Sequence, residues 1–258
     1  MIITSWNVNS VRARIENIKR YLQKFSPDVV MMQEIKTQDE TFPYDDFSSL
    51  NYESHVFGQK SYNGVAIISK HELKNIRLNL IKDKLKQSRI ISAELKHKKK
   101  NIQLINIYTP NGNPVDTEKY SYKKEWLDSL IKQLKNLSKK NENIILAGDF
   151  NILPSAEDAY NIKGFEDDAL YRLEIRKKFR EIINLGFHDA YRHIHGGTEG
   201  YTYCDYMRGA WQKNNGLRID HFLVSNSLLN IVKNVNINKD PRGKEKPSDH
   251  TPIEIELA

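Results

Sequence analysis

The sequence is poor in cysteine: only one, Cys204, occurs in 258 residues, and this scarcity excludes several classes of protein. One thiol cannot form an intramolecular disulfide, and clustered Cys and His ligands for zinc are missing. No apolar run approaches the length of a membrane span, and MIITSWNVNS, the first ten residues, lacks the pattern of a secretion signal. Gly- and Ser-rich linkers and internal repeats are also missing. We therefore expect a soluble, unprocessed cytoplasmic monomer with a single domain over residues 1–258.

Acidic residues are fewer than basic ones. The 33 Asp and Glu residues face 40 Lys and Arg, which gives a formal charge of +7 and a pI near 9.2. This excess favours an anionic partner such as nucleic acid, although a lysine-rich solvated surface explains the charge equally well. The one charge run, KHKKK at residues 96–100, falls between two predicted strands. We predict a solvated hairpin turn there, with DNA contact as the alternative.

Short apolar runs alternate with amphipathic segments, which predicts a protein of mixed strands and helices. The predicted strands are IITSW (2–6), DVVMMQE (28–34), VAIIS (65–69), RIISAEL (89–95), IQLINIY (102–108), NIILAGDF (143–150), RIDHFLVS (218–225) and the terminal PIEIEL (252–257). Apolar residues at helical spacing predict a helix over residues 11–25, with Ser10 as its N-cap and Pro27 beyond its end. Further helices are predicted over residues 117–137 and 170–184.

Polar residues follow several of these strands, at positions where a purely structural sheet would not need them. The set is Asn7, Glu34, Tyr108, Asp149, Asn151 and Asp220. Each alone has an ordinary explanation, such as a turn-forming Asn or a surface carboxylate. Together they matter because strand ends on one side of a sheet converge, and converging carboxylates repel each other unless a cation neutralises them. Oxygen ligands suit Mg²⁺ or Mn²⁺, and a basic protein with an acidic metal pocket suggests phosphate-ester chemistry.

Seven short motifs occur in an order that is typical of one family. They are SWNVNSVR, MMQEIK, YNGVAIIS, IYTPNG, AGDFNI, GLRIDHFLVS and KPSDHTP. With these motifs the sequence resembles, along nearly its whole length, the exonuclease III family of abasic-site endonucleases, within the endonuclease, exonuclease and phosphatase superfamily. The KPSDHTP form is most similar to the bacterial exonuclease III branch. The resemblance implies an α/β (α+β) fold of the deoxyribonuclease I type, a two-sheet β-sandwich flanked by helices on both outer faces.

The resemblance also implies a metal site of one or two Mg²⁺ or Mn²⁺ ions at the edge of the sandwich. The implied ligands are Asn7, Glu34, Asp149, Asn151 and Asp249. Glu34 would be the main ligand, helped by Asn7 and Asp249. Asp149 and Asn151 would flank the scissile phosphate and supply a second ion's ligands.

The implied catalytic residues are Tyr108, Asp149, Asn151, Asp220 and His250. Tyr108 would hydrogen-bond the phosphate. Asp149, desolvated and crowded by carboxylates, would have a raised pKa and would deprotonate or position the attacking water. His250 is the competing base, but a buried Asp220 that orients it would favour the imidazolium, which suits a phosphate partner. We expect Asp149 to activate the attacking water and His250 to stabilise the phosphate. The alternative is that His250 is the base that activates the water.

DNA contacts are expected from Arg89, Tyr203, Trp211 and Leu217. Arg89 matches an arginine that the family places beside DNA, although an arginine that opens a strand is usually solvated. The aromatic loop YTYCDYMRGAW (201–211) suits stacking on nucleotides or a pocket for an abasic sugar, with core packing as an equal alternative. Cys204 and Met207 depart from the family, which has an aromatic and a basic residue there. We expect weaker discrimination for abasic sites or a shift towards removing 3′-terminal nucleotides.

Three functions remain in competition. The leading one is a Mg²⁺-dependent DNA repair nuclease that cuts double-stranded DNA 5′ to abasic sites, with 3′ to 5′ exonuclease and 3′-end-cleaning activity; a variant of it is mainly an exonuclease. The second is a phosphatase or sphingomyelinase acting on inositol or lipid phosphates. The third is a nucleic-acid-binding module with structural carboxylates. The basic charge and the aromatic loop favour DNA over lipid, and the complete set of hydrolytic residues favours an enzyme.

Overall fold

The computed structural model describes residues 1–140 and 142–258, whose strands form two six-stranded sheets. In chain order the strands are β1 (Ile2–Asn7), β2 (Val29–Gln33), β3 (Glu53–Phe57), β4 (Val65–Ser69), β5 (Leu73–Leu78), β6 (Ile90–His97), β7 (Lys100–Tyr108), β8 (Ile144–Asp149), β9 (Phe187–Asp189), β10 (Asp220–Ser225), β11 (Val232–Ile237) and β12 (Ile253–Leu257). The α-helices are α1 (Ile15–Phe25), α2 (Tyr44–Ser48), α3 (Glu118–Ser138), α4 (Leu173–Asn184) and α5 (Ala190–His195).

Each sheet contains one parallel pair of strands near its centre. The first sheet has the order β11-β12-β1-β2-β4-β3, and the second has the order β5-β6-β7-β8-β10-β9. β1 runs parallel to β2, β7 runs parallel to β8, and the other neighbours are antiparallel. The carboxyl ends of a parallel pair lie at one edge of the sheet, so Asn7 is level with Gln33, and Tyr108 is level with Asp149. Antiparallel β10 begins at this edge, with Asp220 opposite Asp149.

Apolar residues fill three layers. Between the sheets lie inward-facing strand residues such as Ile3, Met31, Ile67, Leu104, Ile145, Phe222 and Ile255. On the outside of the first sheet, α1 and α2 cover Trp6, Val30, Met32, Ala66 and Ile68. On the outside of the second sheet, α3 and α4 cover Ile105, Ile107, Leu146 and Phe150. The predicted fold, a two-sheet sandwich with helices on both outer faces, is confirmed.

Most predicted elements are present with small changes at their ends. The strand at 65–69 has the predicted bounds, and the predicted helices over 117–137 and 170–184 correspond to α3 and α4. β6 and β7 form the predicted hairpin, and its turn lies within the charge run at residues 96–100. None of the helices in the part of the chain that is described combines the length and apolar character needed to cross a membrane.

The predicted N-cap at Ser10 is wrong, because α1 begins only at Ile15, with Arg14 as its N-cap. Ser10 has a φ of +85° and donates its backbone N–H to the carbonyl of Glu34 at 2.7 Å. Val11 donates in the same way to Ile35 at 3.1 Å. These bonds tie residues 10 and 11 to the segment after β2, so the chain enters helical geometry only after it has left that segment.

Candidate active site

The polar strand ends meet around a cavity of about 750 Å³. Its wall includes Glu34, Tyr108, Asp149, Asn151, Asp249 and His250. The first four follow or end strands of the two parallel pairs, and the last two lie in the turn that leads into β12. That turn is fixed to the first sheet, because Ser248 Oγ donates to the carbonyl of Asn7 at 2.7 Å and Trp6 Nε1 donates to the carbonyl of His250 at 3.2 Å.

Glu34 is ionised and held in an unusual backbone conformation. Its φ of +50° lies in the left-handed region, which is uncommon for a residue other than Gly, Asn or Asp and is a feature of functional sites. Burial alone would raise the pKa of Glu34, but Lys36, whose Nζ lies 2.8 Å from Oε2, and a hydrogen bond from Asn7 lower it. The site therefore keeps a negative charge at this position.

Asn7 joins two carboxylates. Its Nδ2 donates to Glu34 Oε1 at 2.9 Å and to Asp149 Oδ2 at 3.0 Å. Its Oδ1 accepts the backbone N–H of Asn9 at 3.1 Å, so both ends of the amide are engaged. The structure thus uses Asn7 to hold Glu34 and Asp149 side by side.

Asp149 is buried among both positively and negatively charged side chains. Burial, with the nearby carboxylates of Asp220 and Glu34, raises its pKa to about 7, although His250 acts in the opposite direction. Its Oδ1 accepts the backbone N–H of Asn151 at 2.9 Å. A carboxylate that is half protonated near neutral pH is suited to exchanging a proton with a bound water.

His250 is placed between two carboxylates. Its Nδ1 lies 2.8 Å from Asp220 Oδ2, and its Nε2 lies 3.9 Å from Asp149 Oδ2. Burial disfavours the imidazolium, but the negative charges of Asp220, Asp149 and Asp249 outweigh burial and raise the pKa of His250 to about 10. Thr202 donates its hydroxyl to Asp220 Oδ2 at 2.6 Å and fixes that carboxylate. The His250 imidazole is therefore protonated at neutral pH, and its Nδ1 is held by Asp220.

Asn151 and Tyr108 complete the wall around Asp149. Asn151 Nδ2 donates to the carbonyl of Thr109 at 3.0 Å, and its Oδ1 accepts from Asn111 Nδ2 at 3.1 Å. Burial and the charges of Glu34 and Asp149 raise the pKa of Tyr108 well above its ordinary value. The Tyr108 hydroxyl therefore stays protonated, and it hydrogen-bonds to Glu34.

Two groups of side chains could hold a metal ion. Ligand atoms of Asp149, Asp220 and His250 lie within 4.8 Å of one another, but a protonated His250 already neutralises these two carboxylates. Glu34, Asp149, Asn151 and Asp249 all line the cavity, and their side-chain oxygens are of the type that a hard divalent cation prefers.

The residues that we predicted to contact DNA divide into two groups. Tyr203 and Leu217 line the cavity, pair with each other through their backbones, and the Tyr203 ring packs edge-on to His250 with centroids 5.0 Å apart. Arg89 is 8% exposed and stacks over Tyr108 at 4.7 Å. Trp211 packs against Arg242 at 5.5 Å, and its neighbour Ala210 lines the cavity instead.

Cys204 does not lie where we expected a pocket wall. It is 4% exposed, and its backbone N–H donates to the carbonyl of Asp249 at 2.9 Å. Tyr203 faces the cavity instead, because successive residues of an extended segment point to opposite sides. Met207, by contrast, is 69% exposed and lies at the cavity wall.

Sequence reasoning missed three residues that support the site: Asn111, Thr202 and Lys123. Asn111 lies inside the motif IYTPNG, and Thr202 lies in the aromatic loop, so both had a weak signal. Lys123 had none, because it lies in a helix rich in lysine, where a solvated side chain is the ordinary expectation. The contacts of all three depend on which segments the fold brings together.

The chain matches the model of the Endonuclease/Exonuclease/phosphatase family over residues 4–250. It is 35% identical to an exodeoxyribonuclease III of Haemophilus influenzae over the full length of both chains. It is 30% identical to the DNA repair nuclease APEX1 of Danio rerio, with 100% of this chain and 82% of that relative covered. A 3′ phosphatase of Neisseria, NExo, solved with a product DNA hairpin, has a TM-score of 0.95 at 31% identity, and an AP endonuclease of Archaeoglobus fulgidus has 0.94 at 32%; each comparison covers 100% of this chain and 99% of the other. The chain therefore belongs to the Endonuclease/Exonuclease/phosphatase family, as its motifs predicted.

Proposed function

We propose that this protein is a Mg²⁺-dependent DNA repair nuclease that hydrolyses phosphodiester bonds at abasic sites and at 3′ ends of duplex DNA. The observation that carries the proposal is the geometry at one cavity of a buried Asp149, whose pKa is raised, and a His250 imidazolium, whose Nε2 lies 3.9 Å from Asp149 Oδ2 and whose Nδ1 lies 2.8 Å from Asp220 Oδ2. Opposite protonation states in neighbouring groups supply a proton acceptor and a proton donor for hydrolysis. The names of the relatives and the formal charge of +7 support DNA as the substrate.

The proposed roles follow from the contacts of each side chain. Asp149 accepts a proton from the attacking water or positions it, while the Asn151 backbone holds its other oxygen. His250 donates from Nε2 to a phosphoryl oxygen, because Asp220 fixes Nδ1. Tyr108 donates its hydroxyl to the same phosphate.

Glu34, Asp149, Asn151 and Asp249 are the proposed ligands of a divalent cation. A Mg²⁺ ion held by these residues would supply positive charge to the phosphoryl oxygens and to the departing oxygen. Asn7 is proposed to orient Glu34 and Asp149 through Nδ2, and its Oδ1, like that of Asn151, accepts one hydrogen bond and keeps a second lone pair for the ion.

The side chains around the cavity mouth are proposed to select the substrate. Tyr203 and Leu217 supply an apolar wall beside His250, and Met207 supplies an exposed apolar side chain on the neighbouring loop. Such surfaces pack against bases or against a sugar that lacks its base. The Arg89 guanidinium stacks on the Tyr108 ring, 4.7 Å from its centroid. We propose that Arg89 contacts DNA only where this stacked pair borders the cavity.

The test offers purified protein and Mg²⁺ three end-labelled duplexes, which carry an abasic analogue, a recessed 3′ end or a 3′-phosphate. We expect cleavage of all three, loss of cleavage with EDTA, and a large loss in Glu34→Gln. Glu40→Gln is the control, because Glu40 is an exposed carboxylate outside the cavity.

The competing functions give different results in the same assay. Release of phosphate from inositol polyphosphates without cutting of any duplex would replace the nuclease with a phosphatase. DNA binding that survives Glu34→Gln, together with no metal-dependent cleavage by the wild type, would leave only a binding module.

A further inference from the structure

Lys123 lies on the inward face of α3 and is 0% exposed. Its neighbours on this face, Leu127, Leu130 and Leu134, pack on the second sheet. A charged ammonium at such a position loses much of its hydration free energy. Packing of the helix therefore does not explain a lysine here, because an apolar side chain of similar size would avoid that cost.

The ammonium of Lys123 binds three separate segments of the chain. Its Nζ donates to the backbone carbonyls of Asn111 at 2.9 Å, Asn151 at 2.6 Å and Ala169 at 3.0 Å. Burial lowers the pKa of Lys123 to about 7, but only the protonated ammonium, with three N–H donors, can serve all three carbonyls, so these acceptors favour the charged form. The three acceptors are carbonyls in the segment after β7, the segment after β8 and the segment before α4.

All three segments reach the cavity. Asn111, Asn151 and Leu170 contribute to its wall. The first two are also linked directly, since Asn111 Nδ2 donates to Asn151 Oδ1 at 3.1 Å. Asn151 in turn donates its backbone N–H to Asp149 Oδ1. A chain of hydrogen bonds therefore runs from the ammonium of Lys123 to the carboxylate of Asp149.

The Lys123 side chain packs so closely against position 112 that only glycine fits there. Gly112 has a φ of +87°, and a Cβ added there would lie 2.6 Å from Cδ of Lys123. The stem of the lysine thus lies directly against the backbone of the segment that it binds. This close approach leaves the ammonium little freedom to take other acceptors.

We propose that Lys123 is a positioning residue that fixes Asn111, Asn151 and the segment before α4 around Asp149 without touching the substrate. The inference rests on the proposed function, because the site that it serves is the proposed nuclease site. Displacement of a catalytic group by about 1 Å costs about 100-fold in rate. Loss of the three bonds should therefore lower the rate of the chemical step more than it lowers binding.

The test compares Lys123→Met with Lys124→Met in full-length protein. Lys124 is the neighbouring lysine, whose partly exposed side chain pairs with Glu174 at 3.5 Å, so it controls for loss of one charge from α3. Cleavage of the recessed-end duplex is followed in a single turnover with saturating enzyme, so that an unfolded fraction does not change the rate. We expect a loss of roughly 100-fold for Lys123→Met, a dissociation constant for the duplex within about threefold of wild type, and recovery of most of the rate in Lys123→Arg.

Amide hydrogen exchange gives a readout that does not depend on catalysis. In Lys123→Met we expect faster exchange at residues 109–113, 150–153 and 168–170, with the strands of both sheets unchanged. If the wild type cuts no DNA but these segments loosen, the proposed function fails and the positioning role stands. Wild-type saturated rates or unchanged exchange in Lys123→Met would overturn the role. So would failure of both Lys123→Met and Lys123→Gln to fold, since the lysine would then be a general stabilising residue.

Discussion

Asp149 and His250 show how burial separates the protonation of neighbouring groups. Burial and the nearby carboxylates of Asp220 and Glu34 raise the pKa of Asp149 to about 7, whereas the pKa of His250 reaches about 10, against the effect of burial, because Asp220 and Asp149 flank it. Neither side chain would have this property at the surface, where solvent screens such charges. The chemistry of the site therefore depends on Asp220. This buried carboxylate binds Nδ1 of His250, the ring nitrogen that faces away from Asp149, and keeps the imidazole protonated.

Asp220→Asn should shift the pH dependence of cleavage. Without the negative charge of Asp220, the pKa of His250 moves down towards its ordinary value, so the imidazolium is lost at a lower pH. We expect no alkaline fall in the wild-type rate between pH 6 and 9, and a clear fall above about pH 7 in the variant. Single-turnover rates across this range measure the effect. Parallel profiles for the two proteins would contradict the role given to His250.

His221 should make the protein less stable in mild acid. It is fully buried, its Nδ1 lies 3.0 Å from Arg218 Nη1, and its Nε2 lies 3.1 Å from the carbonyl of Ile152. Burial, aided by the charge of Arg218, lowers its pKa to about 4. The unfolded chain binds this proton near pH 6.5, so its contribution to the free energy of unfolding is full above pH 6.5 and is lost as the pH falls to about 4.

Urea unfolding at pH 7, 5.5 and 4.5 tests this contribution. His221→Gln keeps a donor but does not titrate, so the stability difference between wild type and variant should shrink by about 2 kcal/mol between pH 7 and 4.5. A difference that stays constant would show that His221 does not titrate as inferred.

The sequence predicted which polar residues end or follow apolar strands, and the packing of the two sheets brings most of these residues to one cavity. It did not predict Lys123 or Thr202. Their partners are a set of backbone carbonyls and the carboxylate of Asp220, which are distant in the chain or indistinct in sequence. The spacing of residues in the sequence predicts which face of a helix or strand a side chain lies on. It does not predict which hydrogen-bond acceptor a distant segment of the chain places next to that side chain.

The two parallel pairs, β1 with β2 and β7 with β8, are the elements that build the site. Their strands are mostly buried and end in, or are followed by, polar residues, which the apolar runs in the sequence predicted. β3, β5 and β11 were missed because edge strands contain exposed polar residues, as in ESHVF, LKNIRL and VKNVNI. β9 has only three residues, too few to show an alternation. The missed strands lie at or near sheet edges and contribute nothing to the cavity wall.

Gly148 makes the close contact between β7 and β8 possible. Its φ is +142°, and an added Cβ would lie 1.9 Å from the carbonyl oxygen of Ile107. Gly148→Ala should therefore lower the free energy of unfolding by more than about 4 kcal/mol or prevent folding. Gly164→Ala is the control, since its nearest neighbour would be 3.8 Å away, and a change within about 0.5 kcal/mol is expected. Equal melting temperatures for the two variants would contradict the strand packing described here.

The molecule as a whole brings residues from both ends of the chain together at the site. Asn7 comes from the first strand and binds two carboxylates of the cavity wall, and Asp249 and His250 come from the turn before the last strand. β1 pairs with β12 inside the first sheet, which places this turn beside the end of β1. The second sheet supplies Tyr108, Asp149 and Asp220 from the opposite side. The site therefore exists only when the two sheets are packed together, and cleavage should be lost in the same transition as the fold.

The roles proposed for Asp149 and His250 are tested most directly by the single-turnover rate of Asp149→Asn on an abasic duplex at saturating Mg²⁺, with DNA binding measured in parallel. If Asp149 handles the attacking water and His250 the phosphate, the rate falls by about 100- to 10,000-fold while the dissociation constant for the duplex changes little. Near-normal turnover in Asp149→Asn, together with complete loss of cleavage in His250→Asn, would contradict the account and make His250 the base.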